Sequence, residues 1–225
     1  ITAIGTHIPE KILTNADMEN IVETSDEWIT QRTGIKERRI AAEDEFSSDL
    51  AINAVKNLMS NYNKSVDDVD LILVTTTTPD YPFPSVASQV QAQLGIKNAG
   101  ALDLNATCAG FTYALHIANG LITSGVNRKI LVIGTETLSK VTDYTDRTSC
   151  ILFGDGAGAV LVEYDEDHPS FLASTLGSDG DAGIHLYRTG LSKTMQGTAL
   201  HDSEKMVQNG REVYKWVMKN VPNGI

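Results

Sequence analysis

Residues 103–125 read DLNATCAGFTYALHIANGLITSG. Together with the preceding AGA they decide the fold. AGALDLNAT (99–107) reads as a short apolar strand. CAGFTYALHIANGLITSG (108–125) then places Phe111, Ala114, Leu115, Ala118, Leu121 and Ile122 at helical spacing. A strand that runs straight into a helix is half of a crossover unit, so the segments on either side should repeat the alternation.

They do. Upstream, PSVASQVQAQLG (84–95) has Pro84 and Ser85 at its start and Gly95 at its end, the punctuation of a capped helix. VDLILVTTTT (69–78) is rich in β-branched residues and reads as a buried strand. SSDLAINAVKNLMSNY (47–62) has apolar residues at 50, 51, 54, 55, 58 and 59, again helical. In SDEWITQRTG (25–34), Ser25 can cap a helix, Asp26 and Glu27 suit its positive end, and Gly34 can stop it. ITAI (1–4), ending at Gly5, reads as a first strand. Downstream, KILVIGTET (129–137) is a strand. ILFGDGAGAVLVEYD (151–165) reads as strand, glycine turn, strand, SFLASTLGSDG (170–180) as another strand, and SEKMVQNGREVYKWVMKNV (203–221) as a helix. The alternation predicts a layered α/β fold with a mostly parallel sheet. The polar segment YDEDHPS (164–170) is the candidate boundary.

Bulk composition narrows the function. The chain has 225 residues, of which 41% are hydrophobic and 21% charged. That is ample for a core and ordinary for a globular protein. A net charge of −11 repels phosphate backbones, so nucleic acid is not the expected partner. No apolar run of about 18 residues occurs, so no membrane span is expected. Two cysteines do not make a disulfide framework, and a reducing cytoplasm is the simplest setting. The chain opens at Ile1 inside a strand and ends at Ile225 just after a helix, which reads as a truncation at the C-terminus.

Cys108 stands where strand passes into helix, among the small residues Ala106, Thr107, Ala109 and Gly110. A helix's first turn carries unsatisfied N–H groups and partial positive charge, which stabilise a thiolate and can bind an oxyanion. Spacing puts Cys108, Phe111, Leu115 and Ile122 on one face, so the sulfur is expected to point into a covered pocket. The alternative is a small packed residue, since free cysteine is often only core. Cys150, in the apolar run TSCILF, is expected to be core within a strand. No histidine makes an obvious partner for Cys108. His116, eight residues along the same helix, should lie about 12 Å away.

Other spacings remain open at this level. Trp28 and Arg32 share a helix face, which suits an adenine and a phosphate or, equally, a packed tryptophan beside a solvated arginine. Arg211, Lys215 and Lys219 repeat every four residues, as a solvated face or as a docking stripe for an acidic partner. FGDGAGA (153–159) lacks the following helix that a dinucleotide loop needs, and fits a tight turn beside a catalytic pocket. No cluster suggests a metal.

Taken together, TSDEWITQRTGIKERRI, DLNATCAGFTYAL, TDRTSCILFGDGAGAVLV and NGREVYKWV resemble, in collinear order, the 3-oxoacyl-[acyl-carrier-protein] synthase III family. The resemblance implies a thiolase-like fold, a layered αβαβα sandwich of two similar halves: residues 1–165 forming the first half with the nucleophilic cysteine, and 166–225 opening the second. It implies that Cys108 accepts an acyl group from an acyl-CoA and passes it to malonyl-acyl carrier protein in a homodimeric, cytoplasmic enzyme of fatty-acid synthesis, with no cofactor beyond the coenzyme A thioester used as substrate. It implies that Trp28 and Arg147 sandwich the adenine, with Thr24 nearby and Arg32 on the pyrophosphate. Gly210 and Tyr214 would line the pantetheine tunnel, Phe83 would close the partner's acyl pocket, and Arg211, Lys215 and Lys219 would meet the carrier protein. The family's His and Asn come from motifs resembling PHxAN and GNTS. Neither string occurs here, so these 225 residues alone are expected to be inactive. Two other readings stay open: another thiolase-fold acyl-CoA condensing enzyme, such as a 3-hydroxy-3-methylglutaryl-CoA synthase or a chalcone-synthase relative, and a non-catalytic fragment that only binds.

Overall fold

The strand Leu71–Thr75 is buried at all five positions, and its alternation assigns each residue to one of two cores. Ile72 and Val74 join a cluster on one face of the sheet, and Leu71 and Leu73 join another on the opposite face. A strand buried on both sides reads as a continuous apolar run, which is why LILV shows no polar alternation.

The computed structural model describes residues 1–168, 170–202 and 204–223. Pro169 and Ser203, within the expected boundary and at the head of the expected last helix, lie outside the described residues, as do Gly224 and Ile225. In chain order the elements are β1 (Ala3–His7), β2 (Lys11–Thr14), α1 (Asn15–Glu19), α2 (Asp26–Thr33), β3 (Glu37–Ile40), α3 (Ser47–Tyr62), β4 (Leu71–Thr75), α4 (Val86–Leu94) and β5 (Gly100–Leu104). There follow α5 (Gly110–Thr123), β6 (Lys129–Thr137), β7 (Asp155–Glu163), β8 (Leu186–Arg188), β9 (Thr194–Met195), β10 (Thr198–Ala199), β11 (Met206–Gln208) and α6 (Gly210–Asn220). Among the described residues no helix is long and apolar enough to cross a membrane.

The chain divides into two compact units. The first comprises residues 1–11, 39–137 and 155–174. It is built on a five-stranded sheet of order β1-β7-β6-β4-β5. Helices α3 and α4 cover one face, with Leu50, Ala54, Val55, Leu58, Val86 and Val90 buried. Helix α5 covers the other through Ala114, Ala118 and Ile122. Four of its five strands run in one sense, as expected of a mostly parallel sheet, and β7 alone is reversed. β4 pairs in parallel with β5 and β6, while β7 is antiparallel to both β1 and β6.

The same strand corrects the glycine turn. Asp155–Glu163 is one continuous strand, and residues 151–154 are not strand. A Cβ built on Gly158 would meet nothing within 4 Å, so no close backbone approach requires that glycine. Ladders on both sides of β7 override the weak strand preference of glycine. Residues 170–179 are likewise not strand; Phe171 packs on the α5-side core, and Leu172 is exposed.

The second unit comprises residues 12–38, 138–154 and 175–225. Its α2 is capped as its sequence dictates. The Ser25 hydroxyl accepts from the Trp28 amide at 3.1 Å, and Gly34 closes the helix in the left-handed region at φ 73°. Met18, Ile29, Cys150 and Ile151 form a small core. β8 pairs with β11, and α6 follows. That helix starts at Gly210, later than expected, because the Asn209 side chain caps it and Met206–Gln208 is strand.

The tightest constraint lies under α5. A Cβ added to Gly110 would stand 1.8 Å from Thr75 Oγ1 and 3.0 Å from Thr75 Cβ. Gly110→Ala is therefore expected to cost about 1–3 kcal/mol through overpacking. Thr75→Ala should restore part of that loss in the double variant, as urea unfolding would measure.

Candidate active site

Register sets the site. Thr75 of β4 stands level with Leu104 of β5 and with Gly134 of β6, so β4 and β5 finish together beside β6, which runs on in the same direction to Thr137. In open α/β sheets, groups that act on ligands gather outside the carboxyl ends of such strands. Beyond Leu104 the chain turns through a 3₁₀ turn, Thr107–Ala109, before α5 begins. Gly110 rests on Thr75 and Phe111 lies against Gly134, seating the head of α5 directly over this edge. Cys108 is in that 3₁₀ turn and is exposed.

Exposure corrects the expectation of a sulfur pointing into a covered pocket. The 3₁₀ turn winds three residues per turn instead of 3.6, so extrapolating the face of α5 back to residue 108 misplaces the side chain. The preceding residue forces the bend: Thr107 has φ 47°. A β-branched residue in the left-handed region is a genuine outlier, and such outliers cluster at functional sites.

A second group at this edge was missed from sequence. The Glu136 carboxylate accepts from the Thr77 amide at 2.7 Å and from the Thr78 hydroxyl at 2.6 Å, with a further bond from the Thr77 hydroxyl. Burial pushes its pKa up; the bonds from Thr78 and Thr77 oppose this without cancelling it. The available signal was an acid between threonines closing an apolar strand, GTET, opposite the run TTTT. On the α3 side, Ser47 bonds to Thr78 and accepts from the buried Thr135, so the ends of β4 and β6 are stitched together by hydroxyls. His116 is on α5, where Nδ1 lies 2.6 Å from Ser174 Oγ.

Within the second unit, Trp28 is flanked by two cations. The guanidinium carbon of Arg32 lies 5.8 Å, and that of Arg147 5.7 Å, from the ring centroid. Such contacts are worth about 0.5–1 kcal/mol when exposed. Trp28, partly buried, packs against the Met18, Ile29, Cys150 and Ile151 cluster. Arg147 also stands 3.9 Å from the carboxylate of the exposed Glu23. Thr24 Oγ1 is buried with no hydrogen-bond partner among the described residues. Three of the four residues expected at a nucleotide site (Trp28, Arg32 and Arg147) are thus brought together. The turn bearing Arg147 is shaped by Asp146, which accepts from Thr148 and Ser149. Burial pushes the Asp146 carboxyl up, but the bonds from Ser149 and Thr148 prevail and lower it. Cys150 is core, as expected, although in a turn and not in a strand. Burial first, and the Asp146 charge second, push its thiol up.

Gly210, Arg211, Tyr214, Lys215 and Lys219 all belong to α6. Tyr214 is 65% exposed. Lys215 bonds Glu212 at 2.7 Å, so the basic stripe is partly neutralised along its own helix. Trp216 Nε1 donates to Asp179 at 2.6 Å. Phe83 is 85% exposed in the first unit. Among the described residues no three His, Cys, Asp or Glu side chains are grouped so as to hold a metal.

Thr107 yields a prediction. A left-handed β-branched residue costs about 1–3 kcal/mol, and glycine adds about 0.5–1 kcal/mol of chain entropy. Thr107→Gly should therefore stabilise the protein by roughly 1 kcal/mol in chemical unfolding, the difference of those two effects.

Comparison with known proteins agrees with this arrangement. Residues 102–180 match the family model described as 3-oxoacyl-[acyl-carrier-protein (ACP)] synthase III. The chain is 65% identical over all 225 of its residues to beta-ketoacyl-[acyl-carrier-protein] synthase III 2 of Bacillus anthracis, covering 69% of that protein. It is 65% identical over 222 residues to the protein of the same name in Bacillus subtilis (strain 168), covering 68% of it. The crystal structure of beta-ketoacyl-[acyl-carrier-protein] synthase III from Thermus thermophilus superposes with a TM-score of 0.93 at 44% identity, over 97% of this chain and 68% of that one. With a cysteine-bearing turn at the carboxyl edge of a mixed α/β sheet and this degree of identity across its whole length, the chain belongs to the beta-ketoacyl-[acyl-carrier-protein] synthase III family.

Proposed function

We propose that this protein is the acyltransferase that starts fatty-acid synthesis, condensing a short acyl-CoA with malonyl-acyl carrier protein, and that Cys108 is its nucleophile. The observation that carries the assignment is the exposed thiol of Cys108, held in a strained turn at the head of α5 and beyond the carboxyl ends of the parallel strands β4 and β5. In the first step the Cys108 sulfur bonds to the thioester carbon, the carbon–sulfur bond to coenzyme A breaks, and coenzyme A leaves as the thiol. Backbone N–H groups of the Thr107–Ala109 turn, that of Cys108 among them, are the proposed donors to the developing oxyanion. Losing one such donor costs about 2.7–4 kcal/mol in comparable sites. In the second step malonyl-carrier protein loses carbon dioxide, and its carbanion attacks the acyl-cysteine. The Cys108 thiolate departs, and a 3-oxoacyl-carrier protein forms. No cofactor enters this scheme.

Trp28 and Arg147 are assigned to the adenine, Arg32 to the pyrophosphate, and the orphaned hydroxyl of Thr24 to the same nucleotide. Gly210 and Tyr214 are assigned to the pantetheine arm. Phe83 is assigned to the partner's acyl pocket in a homodimer. Support for the dimer comes from the outermost strand β5, whose Leu102 is exposed, and from Phe83 itself. The halves are proposed to divide near residue 165, with the enzyme in the cytoplasm. Arg211, Lys215 and Lys219 are assigned to docking of the acidic carrier protein; Arg211 is the exposed cation of that stripe nearest the start of α6.

Two experiments test the reading in the full-length protein. Intact-mass measurement after incubation with acetyl-CoA should show one added acyl group, lost in Cys108→Ala; label persisting in that variant would remove Cys108 from the role. Reversing one rim charge, Arg211→Glu, should raise KM for malonyl-carrier protein roughly two- to fivefold, the equivalent of about 0.5–1 kcal/mol. KM for acyl-CoA should hold, and the effect should shrink in high salt.

A further inference from the structure

The Trp28–Arg147 pair joins α2 to a segment more than a hundred residues away, so some group must fix the spacing between ring and guanidinium. Arg38 occupies that place. It is 5% exposed, and burial lowers its hold on the proton. Its Nε and Nη2 both donate to the Ile151 carbonyl, at 3.1 and 2.8 Å. Nη2 also donates to Asn15 Oδ1 at 2.9 Å. Asn15 is itself buried, and its Nδ2 donates to Asp26 Oδ1 and to the Ile35 carbonyl, each at 2.8 Å, with a longer bond to Thr30. Asp26 is the first residue of α2 and Ile35 follows its Gly34 cap, so Asn15 grips both ends of the helix that carries Trp28 and Arg32. On the other side, Ile151 adjoins the turn in which the Cys150 amide donates to the Asp146 carbonyl, and Arg147 projects from that turn.

No carboxylate pairs with Arg38 among the described residues; carbonyl and amide oxygens alone receive it. A buried cation is a costly way to join two segments unless its fork geometry is what is needed. We propose that Arg38 is a positioning residue for the nucleotide of the acyl-CoA: through Ile151 on one arm and Asn15 on the other it sets the gap between Arg147 and Trp28. This rests on the reading that those two side chains receive the adenine.

The test compares acetyl-CoA with acetyl-pantetheine, a thioester that lacks the nucleotide, as donors to Cys108 in the full-length protein. Arg38→Met keeps the stem and removes the donors. It should shrink the advantage of acetyl-CoA over acetyl-pantetheine on the order of tenfold, the scale of coupling within one hydrogen-bond network. The change should fall in KM, with acylation by acetyl-pantetheine unaltered. In a Trp28→Ala background, Arg38→Met should add nothing. Asn15→Ala cuts the same link from its other arm and is read identically if Arg38→Met does not fold. Equal losses on both thioesters, or additive losses with Trp28→Ala, would overturn the positioning role. If Trp28→Ala by itself leaves the acetyl-CoA advantage intact, the nucleotide assignment fails independently of Arg38.

Discussion

The approach of Gly110 to Thr75 is the constraint on which this edge depends. With no side chain at residue 110, α5 packs directly on the Thr75 side chain, and its head falls level with the ends of β4 and β5 and with Gly134 of β6. That placement leaves only Asn105–Ala109 to join β5 to the helix. A connection so short must bend sharply, and the left-handed Thr107 is where the bend is taken up. Cys108 follows immediately in the same turn and is exposed.

Much of this could be read from the chain. The helices α2 and α4 carry their own stop and start signals, because capping is chemistry between residues two or three apart: Ser25 on the Trp28 amide, Ser85 on the Ser88 amide, Gly34 and Gly95 in the left-handed region. The buried strand β4 and the position of Cys108 were legible for the same reason. What failed were features decided by distant partners. β7 looks like a turn from its glycines and becomes a strand because β1 and β6 pair with it on either side. The one reversal in an otherwise parallel sheet is that same strand. The orientation of Cys108 failed for a finer reason, since one 3₁₀ turn changes the angular phase of everything before it.

The polar interior was the least legible part. Glu136 and Arg38 are ordinary charged residues in sequence, with no motif around them. Their roles appear only when strand ends 59 residues apart, or loops 113 residues apart, are brought into hydrogen-bond range. Each is held by many modest bonds instead of one strong counter-ion, and this suits groups that must fix geometry. A single ion pair tolerates rotation, whereas a carboxylate or a guanidinium with three partners does not.

Glu136 and Asp146 give the two units opposite responses to acid. Glu136 has its pKa raised on folding, so its part of the fold gains stability by taking up a proton and loses it as pH rises through that raised value. Asp146 has its pKa lowered, so the turn that presents Arg147 is firm above the ordinary carboxylate range and weakens as acidity increases. Acidification thus relieves a buried charge at the end of β6 while it weakens the bonds that shape the turn of Arg147, so the same proton uptake favours one unit and disfavours the other.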